Sequence, residues 1–400
     1  MACLLLACRR ERPVDRPDIF ILAAEPSGDQ LGAGLAHALN RKNPNLKLYA
    51  IGGSALKEAG LESRMDIDGL AILGFVEGLK AYGFVLKKVR EATEIIMKTN
   101  PRSVVLIDSW GFMVRIAKAL KARGYTGHII KYVAPQVWAM RSGRAKILAR
   151  YVDHLLSTQP MDAPFFEVAG LPQTFVGNPV LDTDYSAGDR LAFLSRHNLK
   201  STAMTVGFFF GSRPSEIERV GPALILAHDR LSAEYPDMQA LCVIADPVRH
   251  LVEPQLEGRD VHLIDQDELI DAMSVMDGAM ACSGTITTQL AAAGVPTSVL
   301  YRLSPLTYVV ASRLFKPPFF SLVNISAVAS DPDLEDPLMP EFVQDDIMTD
   351  APSQALIEII GNPGMAEAVR EALKHETRRM GAGSGSASDR AADAIMSILA

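Results

Sequence analysis

Short apolar runs of four to six residues alternate with amphipathic segments from Asp18 onward, and the alternation restarts near residue 205. Such a pattern builds a parallel sheet covered by helices, because each parallel strand needs a crossover long enough to hold a helix. Ile19–Ala24, Leu46–Ile51, Val104–Asp108, Ile129–Val133, His154–Ser157 and Thr174–Gly177 read as the strands of one Rossmann-like domain. Leu31, Leu35 and Leu39, four residues apart, put one apolar face on the helix after the first strand. Thr205–Phe210, Leu241–Ala245, Val261–Ile264, Gly278–Cys282 and Thr297–Tyr301 read as the strands of a second such domain. The fold class expected is therefore α/β, with ligands held at the carboxyl ends of two sets of strands.

The divisions expected along the 400 residues are 1–17, a disordered or mis-started extension; 18–180, the first Rossmann-like domain; 181–345, the second; and 346–400, C-terminal helices packing back on the first domain. The polar, turn-rich stretch through Asp182, Ser186, Gly188 and Asp189 is the interdomain linker in this reading. Gly381 to Ser388 reads as a second linker, leading to an amphipathic helix from about Asp389. The Leu-Leu-Ala-Cys8 segment loosely resembles a lipoprotein cleavage site. It lacks a basic n-region and its apolar run is short for a signal peptide, so a cytoplasmic location is expected.

Composition excludes several classes. No window holds 18 apolar residues, although 48% of the chain is hydrophobic, so membrane contact would be peripheral. A net charge of −7 argues against a general nucleic-acid binder. Cys3, Cys8, Cys242 and Cys282 lack CxxC spacing and the eight histidines form no HxH or HExxH pair, so neither disulfides nor a bound metal is expected. There is no GxxxxGK[ST] P-loop and no GxSxG nucleophile elbow.

Chemistry concentrates where strands end. Glu25-Pro-Ser27-Gly-Asp29 lies at the first strand-to-helix turn, where free N–H groups can face a substrate, unless Ser27 or Asp29 only caps the helix. Asp108 closes a buried strand and is placed to act as a general base, the bland reading being a cap on the next helix. Trp138 and Arg141 offer an aromatic platform and a cation at the same edge; a core tryptophan and a surface arginine would explain them as well. In the second domain Gly211-Ser212-Arg213 and Ser283-Gly284-Thr285 are two small polar turns, each between a strand and a helix and each suited to a diphosphate. Ser215 and Glu218 have capping-box spacing for the helix after the first. Leu70 to Leu86 followed by Lys87, Lys88 and Arg90, and Tyr301 to Phe320, mix apolar and basic residues as lipid-facing segments do, and as ordinary core helices with solvated lysines also do.

Taken in order, the Glu25–Asp29 turn, Leu73-Gly-Phe-Val-Glu77, the Asp108 strand end, Val133-Ala-Pro-Gln-Val-Trp138-Ala, Phe175-Val-Gly177, Gly211-Ser-Arg213, Ser283-Gly-Thr285, Tyr301-Arg302, Asn324 and Pro340-Glu-Phe-Val-Gln344 resemble the lipid-A-disaccharide synthases. That resemblance implies an inverting glycosyltransferase of the GT-B type, with two domains facing across a cleft and a C-terminal helix crossing back to the first. It implies UDP-2,3-diacylglucosamine as donor, 2,3-diacylglucosamine 1-phosphate as acceptor, a β(1→6) disaccharide and UDP as products, and no cofactor or metal. It also implies work at the cytoplasmic surface of the inner membrane. By the same resemblance Asp108 is the general-base candidate; Ser212, Arg213, Ser283, Gly284, Thr285, Gln289 and Asn324 serve the UDP-sugar; and Glu25, Ser27, Asp29, Glu77, Trp138 and Arg141 serve the acceptor cleft.

Five positions depart from the family pattern. Gln289 stands for a glutamate, Asn178 for a histidine, Gly111 for an aspartate, Met140 for a tryptophan and Phe210 for a proline. Two alternatives accordingly stay open at this point: a divergent paralogue that binds UDP-sugar or lipid without this turnover, and a related UDP-sugar transferase or epimerase. Oligomeric state is not legible in the sequence.

Overall fold

The computed structural model describes residues 16–70 and 82–400. The expected extension and the Glu77 motif thus lie outside the described residues, apart from Arg16 and Pro17.

The first half comprises β1 (Ile19–Leu22), α1 (Pro26–Lys42), β2 (Leu48–Ile51), α2 (Ser54–Glu58), α3 (Tyr82–Thr99), β3 (Ser103–Ile107), α4 (Trp110–Ala122), β4 (His128–Tyr132), α5 (Arg144–Ala149), β5 (His154–Ser157), α6 (Ala163–Ala169) and β6 (Gln173–Phe175). Its six strands form one parallel sheet in the order β2-β1-β3-β4-β5-β6. Strands buried on both faces require continuous apolar runs, which is why Ile19–Leu22 and Ser103–Ile107 are fully buried. Alternate residues feed two cores: Phe20, Leu22, Val104 and Leu106 pack with α3 and α4, and Ile19, Ile21, Val105 and Ile107 with α1.

The second half comprises α7 (Arg190–Arg196), β7 (Thr205–Phe209), α8 (Pro214–Glu234), β8 (Gln239–Ile244), α9 (Arg249–Leu256), β9 (Val261–Asp265), α10 (Leu269–Val275), β10 (Gly278–Cys282), α11 (Thr285–Ala293), β11 (Thr297–Tyr301), α12 (Pro305–Leu314), α13 (Leu322–Ser330) and β12 (Glu341–Val343). These six strands form a second parallel sheet, β12-β11-β10-β7-β8-β9. β12 was not among the expected strands: at three residues, each partly exposed, it carries too little periodicity to be seen.

Three helices end the chain: α14 (Ala351–Ile360), α15 (Pro363–Arg379) and α16 (Ala387–Leu399). The expectation that this whole segment packs on the first domain needs correction. Leu356 of α14 and Leu373 of α15 are buried in the cores of the second half. Only α16 crosses back, burying Ala391, Ala392 and Ile395 against Ile19, Leu35 and Leu39. Its start is held by Asp182, which accepts the Ala387 N–H at 2.9 Å, and by Arg390, whose Nε donates to the Val176 carbonyl at 2.7 Å. At the crossing, Gly177 (φ +83°) and Gly381 (φ +115°) approach so closely that a Cβ on Gly381 would lie 2.9 Å from the Gly177 Cα.

Candidate functional site

Two cavities open at the carboxyl ends of the two sheets. In the first half, a cavity of about 290 Å³ is bordered by Asp108 after β3, Val133–Gln136 after β4 and Thr158–Gln159 after β5, with Trp110, Trp138, Met140, Arg144 and Asp162 completing its wall. The backbone here is unusual. Asp108, Ser109 and Val133 have φ of +49°, +40° and +70°, a region costly for non-glycine residues and most of all for a β-branched one. Neighbouring bonds hold these conformations: the Asp108 N–H donates to the Tyr132 carbonyl at 3.0 Å, the Val133 N–H to the Leu156 carbonyl at 3.0 Å, and the Ser109 hydroxyl to the Glu25 carboxylate. Half-buried Asp108 thus faces the cavity from a turn held on several sides.

Lys131 lies beneath that turn. It is 2% exposed, and its Nζ donates to the Asp108 carbonyl at 2.7 Å and the Tyr132 carbonyl at 3.0 Å. Burial pushes its pKa down to about 7, resisted by the charges of Asp108 and Glu25. Asp162, 1% exposed, is the converse case: burial pushes its carboxyl up to about 7. The Trp138 indole N–H stands near enough to favour the charged carboxylate, yet the geometry falls short of a hydrogen bond. Trp138 Nε1, Gln159 Oε1 and Asp162 Oδ1 all lack partners. The sequence reading missed Lys131, Asp162 and Gln159. A lysine inside the apolar run Ile129-Ile130-Lys131-Tyr132 was the available signal for the first; a one-turn 3₁₀ segment left none for the others.

The remaining acceptor-side expectations divide. Trp138 lines the cavity and is 8% exposed. Glu25 is half-buried and bound by Ser109, whereas Ser27 sits exposed on the first turn of α1. Asp29 does not border the cavity: it is 3% exposed, and its two oxygens accept the Gly53 and Ala55 N–H groups at 2.7 and 2.8 Å. Its carboxylate is consumed at the start of α2, a cap on a different helix from its own. Arg141 is exposed at φ +55° and does not border the cavity. The cation that does is Arg144, stacked 5.1 Å over the Trp110 ring, its pKa lowered by burial and then by Arg141.

In the second half, a cavity of about 260 Å³ gathers Ser212, Arg213, Ser283, Gly284, Thr285 and Gln289 with Phe210, Cys282 and Gln266. The starts of α8 and α11 both open on it, each turning the positive end of its helix dipole toward the cavity. Gly211 has φ +97°, and a Cβ there would meet Glu216 Oε2 at 2.7 Å. That carboxylate, rather than the expected Ser215 and Glu218 pair, caps α8, accepting the Ser212 and Arg213 N–H groups at 3.1 and 3.3 Å. Burial pushes the Cys282 thiol up to about 12, so it meets the cavity as a neutral group.

Asn324 departs from expectation. It is fully buried; its Nδ2 donates to the Met339 carbonyl and to Glu341 Oε1, each at 2.7 Å, and its Oδ1 accepts the Met339 N–H at 3.0 Å. With both amide hydrogens and one lone pair of its oxygen engaged, it ties α13 to β12. The departures from the family pattern also find places. Gln289 donates to the Tyr185 hydroxyl at 2.9 Å, Asn178 accepts the Val180 N–H at 3.1 Å, Met140 and Phe210 line the two cavities, and Gly111 is exposed on α4.

Comparisons with known proteins agree with this architecture. Among solved structures, a UDP-GlcNAc 2-epimerase from Neisseria meningitidis bound to UDP-GlcNAc superposes with a TM-score of 0.61 at 13% identity, over 95% of this chain and 99% of its own. The glycotransferase of kitacinnamycin gives 0.61 at 15%, over 96% and 100%. At such identities the likeness establishes the fold, a two-sheet GT-B architecture. In sequence, the lipid-A-disaccharide synthase of Rhodospirillum centenum is 33% identical over 385 residues, 95% of this chain and 94% of that relative. The enzyme of the same name from Geobacter sulfurreducens is 33% identical over 384 residues, 95% and 97%. The family profile described as lipid-A-disaccharide synthetase matches residues 19–395, and the chain therefore belongs to the lipid-A-disaccharide synthase family.

Proposed function

We propose that this protein transfers a 2,3-diacylglucosamine unit from its UDP derivative to the 6-hydroxyl of 2,3-diacylglucosamine 1-phosphate, forming a β(1→6) lipid disaccharide and releasing UDP. The observation that carries the reading is the pair of cavities at the two strand ends: one holds a carboxylate, the other two helix N-termini and an arginine. Asp108 takes the hydroxyl proton as the acceptor oxygen attacks the anomeric carbon. The C1–O bond to the diphosphate breaks on the opposite face, which inverts the centre. Arg213 and the dipole ends of α8 and α11 neutralise the departing UDP, with Ser212, Ser283 and Thr285 as further donors and Gln289 on the nucleotide side. Trp138 and Glu25 border the acceptor.

The enzyme works at the cytoplasmic surface of the inner membrane in this reading. Among the described residues no helix is long and apolar enough to cross a membrane. Tyr82, Phe84 and Leu86 are exposed beside exposed Lys87 and Arg90 at the start of α3, as suits contact with anionic lipid.

The test is incubation of the purified chain with both lipid sugars in detergent, with the disaccharide read by mass spectrometry and Asp108→Asn alongside. Product from the native chain and a loss of about 10²- to 10⁴-fold in the variant, with UDP affinity retained, are expected. Absence of product from the native chain, or equal loss of transfer and UDP binding in Asp108→Asn, would overturn the assignment.

A further inference from the structure

We propose that Lys131 is a positioning residue for Asp108: its ammonium, hydrogen-bonded to the Asp108 carbonyl from beneath the strand ends, fixes the left-handed turn that aims the carboxylate at the acceptor hydroxyl. The inference rests on reading Asp108 as the base. A lysine on a central strand at 2% exposure is expensive, because the desolvated ammonium needs compensation from its surroundings. For packing alone an apolar side chain would serve. What surrounds Nζ is two carbonyl oxygens, those of Asp108 at 2.7 Å and Tyr132 at 3.0 Å. The Tyr132 oxygen also accepts the Asp108 N–H, so the ammonium joins both strand ends at the point where the backbone turns left-handed.

Two consecutive non-glycine residues with positive φ hold only where the surroundings over-determine them. Here the Asp108 N–H, the Asp108 carbonyl and the Ser109 hydroxyl are each engaged, by Tyr132, Lys131 and Glu25 in turn. Removal of the Lys131 contact releases the carbonyl of the residue that carries the base. The charged groups facing the ammonium are Asp108 at the end of β3 and Glu25 in the turn before α1. Burial brings its pKa to about 7, so its charge is conditional near neutral pH and turnover carries its titration.

The experiment measures kcat, both KM values and UDP affinity across pH 6–9 for the native chain, Lys131→Met, Lys131→Gln and Asp108→Asn. Lys131→Met should lower kcat about 10²-fold, the scale of a small misplacement of a reacting group. KM and UDP affinity should hold, and the inflection near pH 7 should vanish when the profiles are taken in an Asp162→Asn background, which removes the other group of this cavity that titrates near 7. Lys131→Gln, which keeps an amide NH2 donor group but no charge, should recover part of kcat without the inflection; it also serves should the Met variant fail to fold. Native kcat in both variants, or a kcat loss that leaves the inflection in place, overturns the proposal. So does a loss matched by falling UDP affinity and a lost cooperative melt, which marks a merely structural lysine. Native kcat in Asp108→Asn overturns the base reading instead, and the proposal with it.

Discussion

The Arg213 guanidinium donates to Oε1 of Glu216 at 2.6 Å, while Oε2 of the same carboxylate accepts the N–H groups of Ser212 and Arg213. Glu216 therefore both shapes the turn after β7 and holds its cation. The Arg213 side chain is 75% exposed, so the ion pair contributes little to stability and yields readily to a better anion.

From this relationship, Arg213→Ala should weaken UDP binding about 10- to 100-fold, the range of a charge-assisted hydrogen bond, with stability changed by no more than about 0.5 kcal/mol. Glu216→Gln should tighten UDP binding, because a competing charge is gone while an acceptor for the turn remains. Calorimetry with UDP decides both; unaltered affinity in Arg213→Ala would place the diphosphate elsewhere.

Asp29→Ala should act on folding. It strips the partners from the Gly53 and Ala55 N–H groups at a half-buried helix start, and a loss of about 1–3 kcal/mol in urea unfolding is expected, with kcat retained. A Cβ on Gly52 or Gly53 would meet the Asp29 oxygens at 2.6 and 2.9 Å, so Gly53→Ala should be destabilised in the same direction. A large kcat loss at unchanged stability would return Asp29 to the acceptor site.

For Asn324→Ala the expected cost is on the order of 2–4 kcal/mol, since a fully buried amide with three side-chain bonds is deleted and Glu341 loses a donor. Loss of UDP binding should follow the loss of folded protein in denaturant titrations rather than precede it.

Asp162→Asn tests the buried carboxyl. Its folded pKa of about 7 lies above the ordinary 3.8, so between these values the folded chain holds a proton that the unfolded chain has released. Stability from this group is full below about pH 4 and is lost as pH rises through 7. The asparagine variant should flatten that decline and exceed the native protein above pH 7 by about 1 kcal/mol or more, seen in thermal melts from pH 4 to 8.5. Parallel native and variant profiles would show that the carboxyl is ionised in the folded state.

Much of the fold was legible because burial on both faces of a parallel strand leaves a local trace. Runs such as Ile19–Leu22 and Gly278–Cys282 announce themselves, and β12, at three half-exposed residues, does not. Of the site, the glycine and serine turns after β7 and β10 were readable because a strand-to-helix junction needs small polar residues in sequence order. The backbone partners of Asp29 and Asn324 were not legible for one shared reason: a carboxylate or amide serves a backbone N–H or a ligand equally well, and sequence does not show which is nearer.

By itself, the sequence determined the two parallel sheets, the helix starts that open on the second cavity, and the carboxylate at the end of β3. Only the tertiary structure decided which of these groups are free. Asp108 and Lys131 are 23 residues apart and Ser109 and Glu25 are 84 apart, and they meet because β3 lies between β1 and β4 in the sheet. Local propensity does not encode that neighbourhood. Desolvation at the shared strand ends, absent in any isolated segment, brings Lys131 to about 7, and the strand order sets Asp108 at the cavity above it.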